Sequence, residues 1–146
     1  MEFWDLSKNK LEYKTGIGSN SWTKVNRCWY TDWNVKIYDN NTKELVLDYV
    51  FDCSGKWIHI EFTSSSLGDT IAWMPYIEEF RKRHNCRINF ISNWPILFKE
   101  SYPNINQWSY DDNTRLECEE PFSRMHIGWY YDDSGFRMNI HKNDPR

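Results

Sequence analysis

The sequence predicts an α/β protein, with a small all-β domain over residues 1–54 followed by part of a doubly wound parallel sheet over residues 55–146. Three observations carry this expectation. Apolar and polar residues alternate in Asn34-Val-Lys-Ile-Tyr38 and, more loosely, in Glu44-Leu-Val-Leu-Asp-Tyr-Val-Phe51, with the turn-forming Asp39-Asn-Asn-Thr42 between them. After Ser54-Gly55 the pattern becomes strand, tight loop and helix. A further strand then follows the helix, and strand, helix, strand is the order of a parallel sheet.

Taken from the N-terminus, the loop Thr15-Gly-Ile-Gly-Ser-Asn20 precedes an expected strand from Trp22 to Tyr30, and the hairpin just described completes the first domain. Lys56-Trp-Ile-His-Ile-Glu-Phe62 reads as a strand and Thr63-Ser-Ser-Ser-Leu-Gly68 as a loop of small residues. Helical spacing runs from Asp69 to about His84, with Ile71, Ile77, Phe80 and His84 near one face. Glu78 with Lys82 and Glu79 with Arg83 are i,i+4 pairs in the favoured orientation, and basic residues suit a last helical turn. That accounts for Arg81-Lys-Arg83 without a ligand. Pro75 lacks an amide hydrogen and is expected to bend the helix. Beyond it, Arg87–Ser92 reads as a strand, Pro95–Glu100 as a short helix, Asn104–Trp108 as a third strand, and Met125–Tyr131 as a fourth before the turn Asp132-Asp-Ser-Gly135. So few strands leave a face or edge of the sheet uncovered, so the pattern expects more chain than these 146 residues.

Composition narrows the function. A net charge of -3 argues against a nucleic-acid partner, because phosphate binding needs clustered Lys and Arg. Charged residues are 27% of the chain and no apolar run is long enough to cross a bilayer, which predicts a soluble chain without a membrane partner. The N-terminus has no basic segment leading into an apolar stretch, so the expected location is the cytoplasm. Cys28, Cys53, Cys86 and Cys118 form no close pair of the kind that grips zinc and are expected to be free thiols. Nine Trp, nine Tyr and eight Phe are too many for one site, so most must be structural. Trp73, Trp94 and Trp129 are candidates for lining a groove, though large aromatics serve a core more often. His59 falls in a strand and His84 at a helix end, where it suits the dipole, and His126 and His141 lack partners at metal-ligand spacing.

The chemistry points to Ser64-Ser-Ser-Leu-Gly-Asp69, because ligands of open parallel sheets collect where a strand ends and the next helix begins. The loop lacks the glycine spacing and lysine of a P-loop and is not a dinucleotide fingerprint. Gly68 would allow a tight turn and close approach to a substrate, and the serines offer hydroxyls and amides. Asp69 has two readings at this point: a helix cap whose carboxylate accepts a backbone amide, or a general base held ionised beside the helix dipole.

The stretch from Ser64 through Asp69, Trp73 and Pro75 to Cys86 resembles the first loop and helix of the bacterial autotransporter strand-loop-strand O-heptosyltransferases. The heptosyltransferases of lipopolysaccharide synthesis share its shorter core, Ser, a hydrophobic residue, Gly and Asp, then a helical Pro. Thr31-Asp-Trp-Asn-Val-Lys-Ile-Tyr-Asp39, Ser101-Tyr-Pro103 and Ile127-Gly-Trp-Tyr-Tyr-Asp132 through Asn143-Asp-Pro-Arg146 agree in order, so the resemblance covers most of the chain from about Cys28.

It implies a GT-B glycosyltransferase, in which a small β domain precedes two Rossmann-like domains. The chain would hold the β domain and part of the acceptor-side domain, without the donor-binding one. It also implies transfer of heptose from ADP-heptose to serine hydroxyls of an autotransporter adhesin passenger in the cytoplasm before export, with Asp69 as general base. The candidate acceptor-binding residues are Ser65, Ser66, Leu67, Gly68, Thr70 and Trp73. The family's four-cysteine iron site belongs to the C-terminal part, so neither a metal nor a bound cofactor is expected in these residues. The nucleotide-sugar donor would need the missing domain, and a homo-oligomer is expected. The alternatives are a non-catalytic module that binds β-helical autotransporter protein without modifying it, and a carbohydrate-binding domain, which the strand-loop-helix segment disfavours.

Overall fold

The alternating segments at 34–38 and 44–51 become a hairpin in the computed structural model, which describes residues 1–27, 30–110, 120–131 and 137–139, with the backbone alone at 129–131 and 137–139. The chain divides into two units, one spanning Met1–Asp52 and the other beginning at Cys53.

The first unit holds β1 (Glu2–Asp5), β2 (Lys10–Lys14), β3 (Trp33–Tyr38) and β4 (Leu45–Val50), an antiparallel sheet in the order β2-β1-β3-β4. Asp39 shapes the β3–β4 loop: its Oδ1 accepts the backbone amides of Asn41 at 2.7 Å and Thr42 at 2.8 Å. Lys43 takes a left-handed φ of 62° where the chain turns back. The expected strand from Trp22 to Tyr30 does not form at residues 22–27 or 30, and Cys28 and Trp29 lie outside the described residues. β1 takes the place beside β3 instead, with Glu2 opposite Lys36 and Asp5 opposite Trp33, so β1 and β4 fill both edges of β3. Arg27 serves as a cation, 3.5 Å from the buried Asp5 carboxylate and paired with Glu12.

The second unit is built on β5 (Trp57–Phe62), β6 (Arg87–Ser92), β7 (Ile105–Ser109) and β8 (Ser123–Ile127), all parallel, in the order β7-β6-β5-β8. Ile58 and Ile60 of β5 stand in register with Ile88 and Phe90 of β6. With Phe62 these side chains are nearly or wholly sealed from solvent, each stabilising the fold by about 1.5–3 kcal/mol on burial. Helix α1 (Leu67–His84) is the crossover from β5 to β6. It starts two residues earlier than the spacing suggested. Its buried residues are Thr70, Met74 and Ile77, spaced i, i+4 and i+7, whereas Ile71 is 53% exposed and Phe80 and His84 are half-buried. Asn85 ends the helix at a left-handed φ of 48°, its N–H bonding back to the carbonyls of Arg81 and Lys82. Pro75 denies the Ile71 carbonyl its helical partner, which solvent can supply because Ile71 is exposed.

Two further expectations are corrected. Residues 95–100 form successive turns rather than a helix. The strand expected at 125–131 is two strands, because Gly128 adopts φ 91° and breaks it. After Gly128, β9 (Trp129–Tyr131) pairs antiparallel with β10 (Arg137–Asn139) in a separate two-stranded sheet. The turn at 132–135, His141, residues 143–146 and Cys118 lie outside the described residues. Among the described residues no helix is long and apolar enough to cross a membrane.

A polar ladder crosses the sheet where parallel register aligns His59, Asn89 and Asn106. The Asn89 side-chain oxygen accepts from Asn106 Nδ2 at 3.2 Å and from Trp108 Nε1 at 3.3 Å. Its amide nitrogen therefore faces His59 Nε2, 2.9 Å away, and that ring nitrogen must be the acceptor. His59 and Asn89 are both buried. Asn89→Leu keeps the branched shape, though bulkier, but orphans these partners, and should lower stability by about 2–3 kcal/mol in urea denaturation.

On α1, Glu78 takes Arg81 through both oxygens, at 2.8 and 2.9 Å, and Lys82 at 3.6 Å. The Arg81 hydrogen bonds hold the Glu78 carboxyl below the usual range against an opposing effect of partial burial. A carboxyl so lowered adds stability that is present above its unfolded pKa of about 4.3 and lost as pH falls through its folded value. The acid limb of thermal stability should therefore be shallower in Glu78→Gln than in the parent chain.

Candidate functional site

Strand order sets the location. The chain steps outward from β5 through β6 to β7, then returns to the other side of β5 as β8, so the order reverses between β5 and β8. In open parallel sheets the crevice beyond the carboxyl ends at such a reversal is the usual ligand site. Here Thr63, just past β5, donates its backbone N–H at 3.1 Å and its hydroxyl at 3.2 Å to the Ile127 carbonyl at the end of β8. A Cβ on Gly128 would stand 3.2 Å from Phe62 Cε2 and 3.4 Å from Thr63 Oγ1 at a positive φ, so glycine permits this close approach. Tyr110 donates its hydroxyl to the Phe62 carbonyl at 2.9 Å.

Asp69 lies at this edge, and Ser66 rather than Asp69 is the cap of α1. The Ser66 hydroxyl accepts the Asp69 backbone N–H at 3.3 Å, which makes Asp69 the third residue of the helix. Its carboxylate is thus released from capping and sits exposed in the first turn, where the helix dipole favours negative charge. Oδ2 accepts the Ser64 hydroxyl at 2.8 Å. Ser64 is itself buried, and its oxygen accepts the Ser66 backbone N–H at 3.1 Å.

The other candidates divide by environment. Ser65 is exposed and its carbonyl accepts Trp94 Nε1 at 3.1 Å, which ties the loop after β5 to the loop after β6. Leu67 is 37% exposed at the first helical position. Gly68 lies inside the helix, not in a tight turn, and a Cβ there would meet only Ser66 Oγ at 3.8 Å, so no packing constraint of the chain itself demands glycine. Thr70 is turned fully inward with its hydroxyl donated to the Ser66 carbonyl at 3.0 Å, away from the mouth where Asp69 stands. Trp73 is half-buried one turn beyond Asp69, its ring 5.8 Å from that of the exposed Tyr76. The side chain of Trp129 lies outside the described residues. Ser64 stood in the candidate loop but outside the expected acceptor-binding residues; a serine two before the cap and five before an acid was the signal for its bond to Asp69.

Among the described residues no group of three or more His, Cys, Asp or Glu is placed to hold a metal ion. Cys53 and Cys86 are buried, and burial above all, with Cys53 adding to it, pushes the Cys86 thiol up to about 11. Neither belongs to a group of three or more such ligands among the described residues, so they do not supply a four-cysteine iron site there. His126 lies 3.6 Å from Glu61 across the β5–β8 pair.

No protein-family model matches the chain. A parallel sheet of this kind serves many chemistries, and the curated relatives give the comparison: the homologues of this chain are autotransporter heptosyltransferases. Aah of Escherichia coli is 26% identical over 112 residues, which is 75% of this chain and 28% of Aah. TibC of Escherichia coli is 25% identical over 112 residues, 75% of this chain and 27% of TibC. BimC of Burkholderia thailandensis, an inactive autotransporter heptosyltransferase, is 31% identical over 62 residues, 41% of this chain and 15% of BimC. The crystal structure of TibC, an iron-containing dodecameric glycosyltransferase from enterotoxigenic E. coli, superposes with a TM-score of 0.75 over 92% of this chain and 35% of TibC, at 19% identity. A second TibC structure, in complex with ADP-D-beta-D-heptose, gives 0.74 at 20% identity over the same shares. The fold is therefore that of part of TibC, and the chain spans about a quarter of the length of Aah and TibC.

Proposed function

We propose that this chain forms the acceptor-side part of a GT-B glycosyltransferase that moves heptose from ADP-heptose onto serine hydroxyls of an autotransporter adhesin passenger in the cytoplasm, with Asp69 as general base. The single observation that carries the proposal is an exposed carboxylate at the carboxyl end of β5, beside the strand-order reversal and free of capping duty. The chemistry asks for little more on this side. The acceptor hydroxyl gives its proton to Asp69 as its oxygen bonds to the anomeric carbon, and the bond from that carbon to the diphosphate breaks, the electron pair leaving with ADP. One base suffices for such a displacement with inversion. Ser65, Ser66, Leu67, Gly68 and Trp73 surround the start of α1 and would contact the acceptor; open space beside Gly68 leaves room for a backbone to approach.

A non-catalytic module that grips β-helical autotransporter protein without modifying it is the second reading. The inactive relative BimC supports it, since a homologous chain exists that is not a working transferase. On the transferase reading the ADP-heptose donor is bound by a further domain, and a homo-oligomer is in keeping with the dodecamer that TibC forms.

Two measurements decide between these readings. The 146 residues by themselves should show no heptosyl transfer with ADP-heptose and passenger, because the relatives extend well beyond the matched portion; steady turnover by the isolated chain would overturn the division of labour. In the full-length protein, Asp69→Asn should lower kcat by about a hundredfold to ten-thousandfold with thermal stability nearly unchanged. Retained transfer in Asp69→Asn removes the base assignment, and passenger binding with no transfer by the parent protein favours the binding module.

A further inference from the structure

We infer that Ser64 is a positioning residue that keeps the Asp69 carboxylate out of a helix cap and aimed at the acceptor; the inference rests on Asp69 being the base. The reason lies in how a helix start usually satisfies itself. When a serine caps a helix and an acid follows three residues later, the acid tends to reach back to the backbone N–H of the cap, closing a reciprocal pair of hydrogen bonds. Ser66 and Asp69 have that spacing, and half of the pair is present: the Asp69 N–H is bonded to Ser66 Oγ at 3.3 Å. The other half is absent. The Ser66 N–H goes instead to Ser64 Oγ at 3.1 Å, and the Ser64 hydroxyl proton goes to Asp69 Oδ2 at 2.8 Å.

Ser64 therefore does two things with one hydroxyl. It occupies the donor that would otherwise draw the Asp69 carboxylate back onto the helix end, and it pins Oδ2 of a residue that is itself exposed. Because Ser64 is 4% exposed, water does not readily take its place. The serine is held in turn by the sheet, being the second residue past the end of β5, with Thr63 bonded to Ile127. The rigid strand end thus sets the direction of a carboxylate that belongs to the helix. A base must lie within hydrogen-bond reach of the proton it removes, and small errors of placement carry large kinetic penalties.

The test is a double-mutant cycle of Ser64→Ala and Asp69→Asn in the full-length protein, with kcat and KM for a passenger acceptor and ADP-heptose, and with thermal melts. Ser64→Ala should lower kcat by about 10- to 100-fold while KM and the melting midpoint change little, since the freed Ser66 N–H can donate to the Asp69 carboxylate instead. In the Asp69→Asn background the same change should have no further effect on kcat, and Ser64→Thr, which keeps a hydroxyl, should recover most of the loss. If Ser64→Ala does not fold, Ser64→Cys, of similar size but a weak donor, should show the same kcat loss. Wild-type kcat in the folded Ser64 variant, or an equal further loss on top of Asp69→Asn, overturns the positioning role while leaving the base assignment standing. Activity retained in Asp69→Asn itself removes the base assignment and this inference with it.

Discussion

Parallel pairing of β5 on both of its edges is the constraint on which the second unit depends. Ile58 and Ile60 face Ile88 and Phe90 on one side and Ser123 and Met125 on the other, so β5 cannot slip without exposing side chains that are among the most buried of the described residues. A parallel neighbour requires a crossover, and α1 supplies it between β5 and β6. Once β5 is flanked by β6 and β8, its carboxyl end is the point of strand-order reversal, and the start of α1 is held there by geometry.

The mouth of the sheet is tied together by loops rather than by packed aromatic surface. Thr63 binds Ile127, Trp94 binds the Ser65 carbonyl, and Tyr110 reaches the Phe62 carbonyl, so all four strands contribute to one edge. That bracing gives a helix-borne carboxylate a fixed frame. Against it, the polar ladder of His59, Asn89 and Asn106 satisfies buried groups in the body of the sheet, where an unpaired imidazole or amide would be costly.

Asp69 shows where local pattern and tertiary arrangement part company. From spacing alone it could serve as a cap or as a base, because both uses want a short acid at the start of a helix. In the structure the Ser64 and Ser66 hydroxyls accept the backbone N–H groups of Ser66 and Asp69 and so divide the capping work between them. Thr70 shows the converse: it stands next to Asp69 in the chain, but a step of one helical residue turns its side chain into the protein. Homologues among autotransporter heptosyltransferases and the TibC-like fold agree with the resemblance carried by residues 64–86.

Sequence alone determined the elements whose signal is local. The β3–β4 hairpin, with alternation on both sides of an Asx turn, and the succession of β5, α1 and β6 were legible because side-chain period and turn chemistry act over a few residues. Tertiary structure decided the rest. β1 displaced the expected strand at 22–30 because both edges of β3 could be filled only once; Thr70 and Met74 replaced Ile71 on the inner face because the sheet, not the size of the side chain, chose which face to cover. Gly128 ended β8 with a φ of 91°, at a point where Phe62 and Thr63 leave little room for a side chain. Contacts between residues far apart in the chain leave no periodic trace in sequence, which is why the helix could be read and the aim of its carboxylate could not.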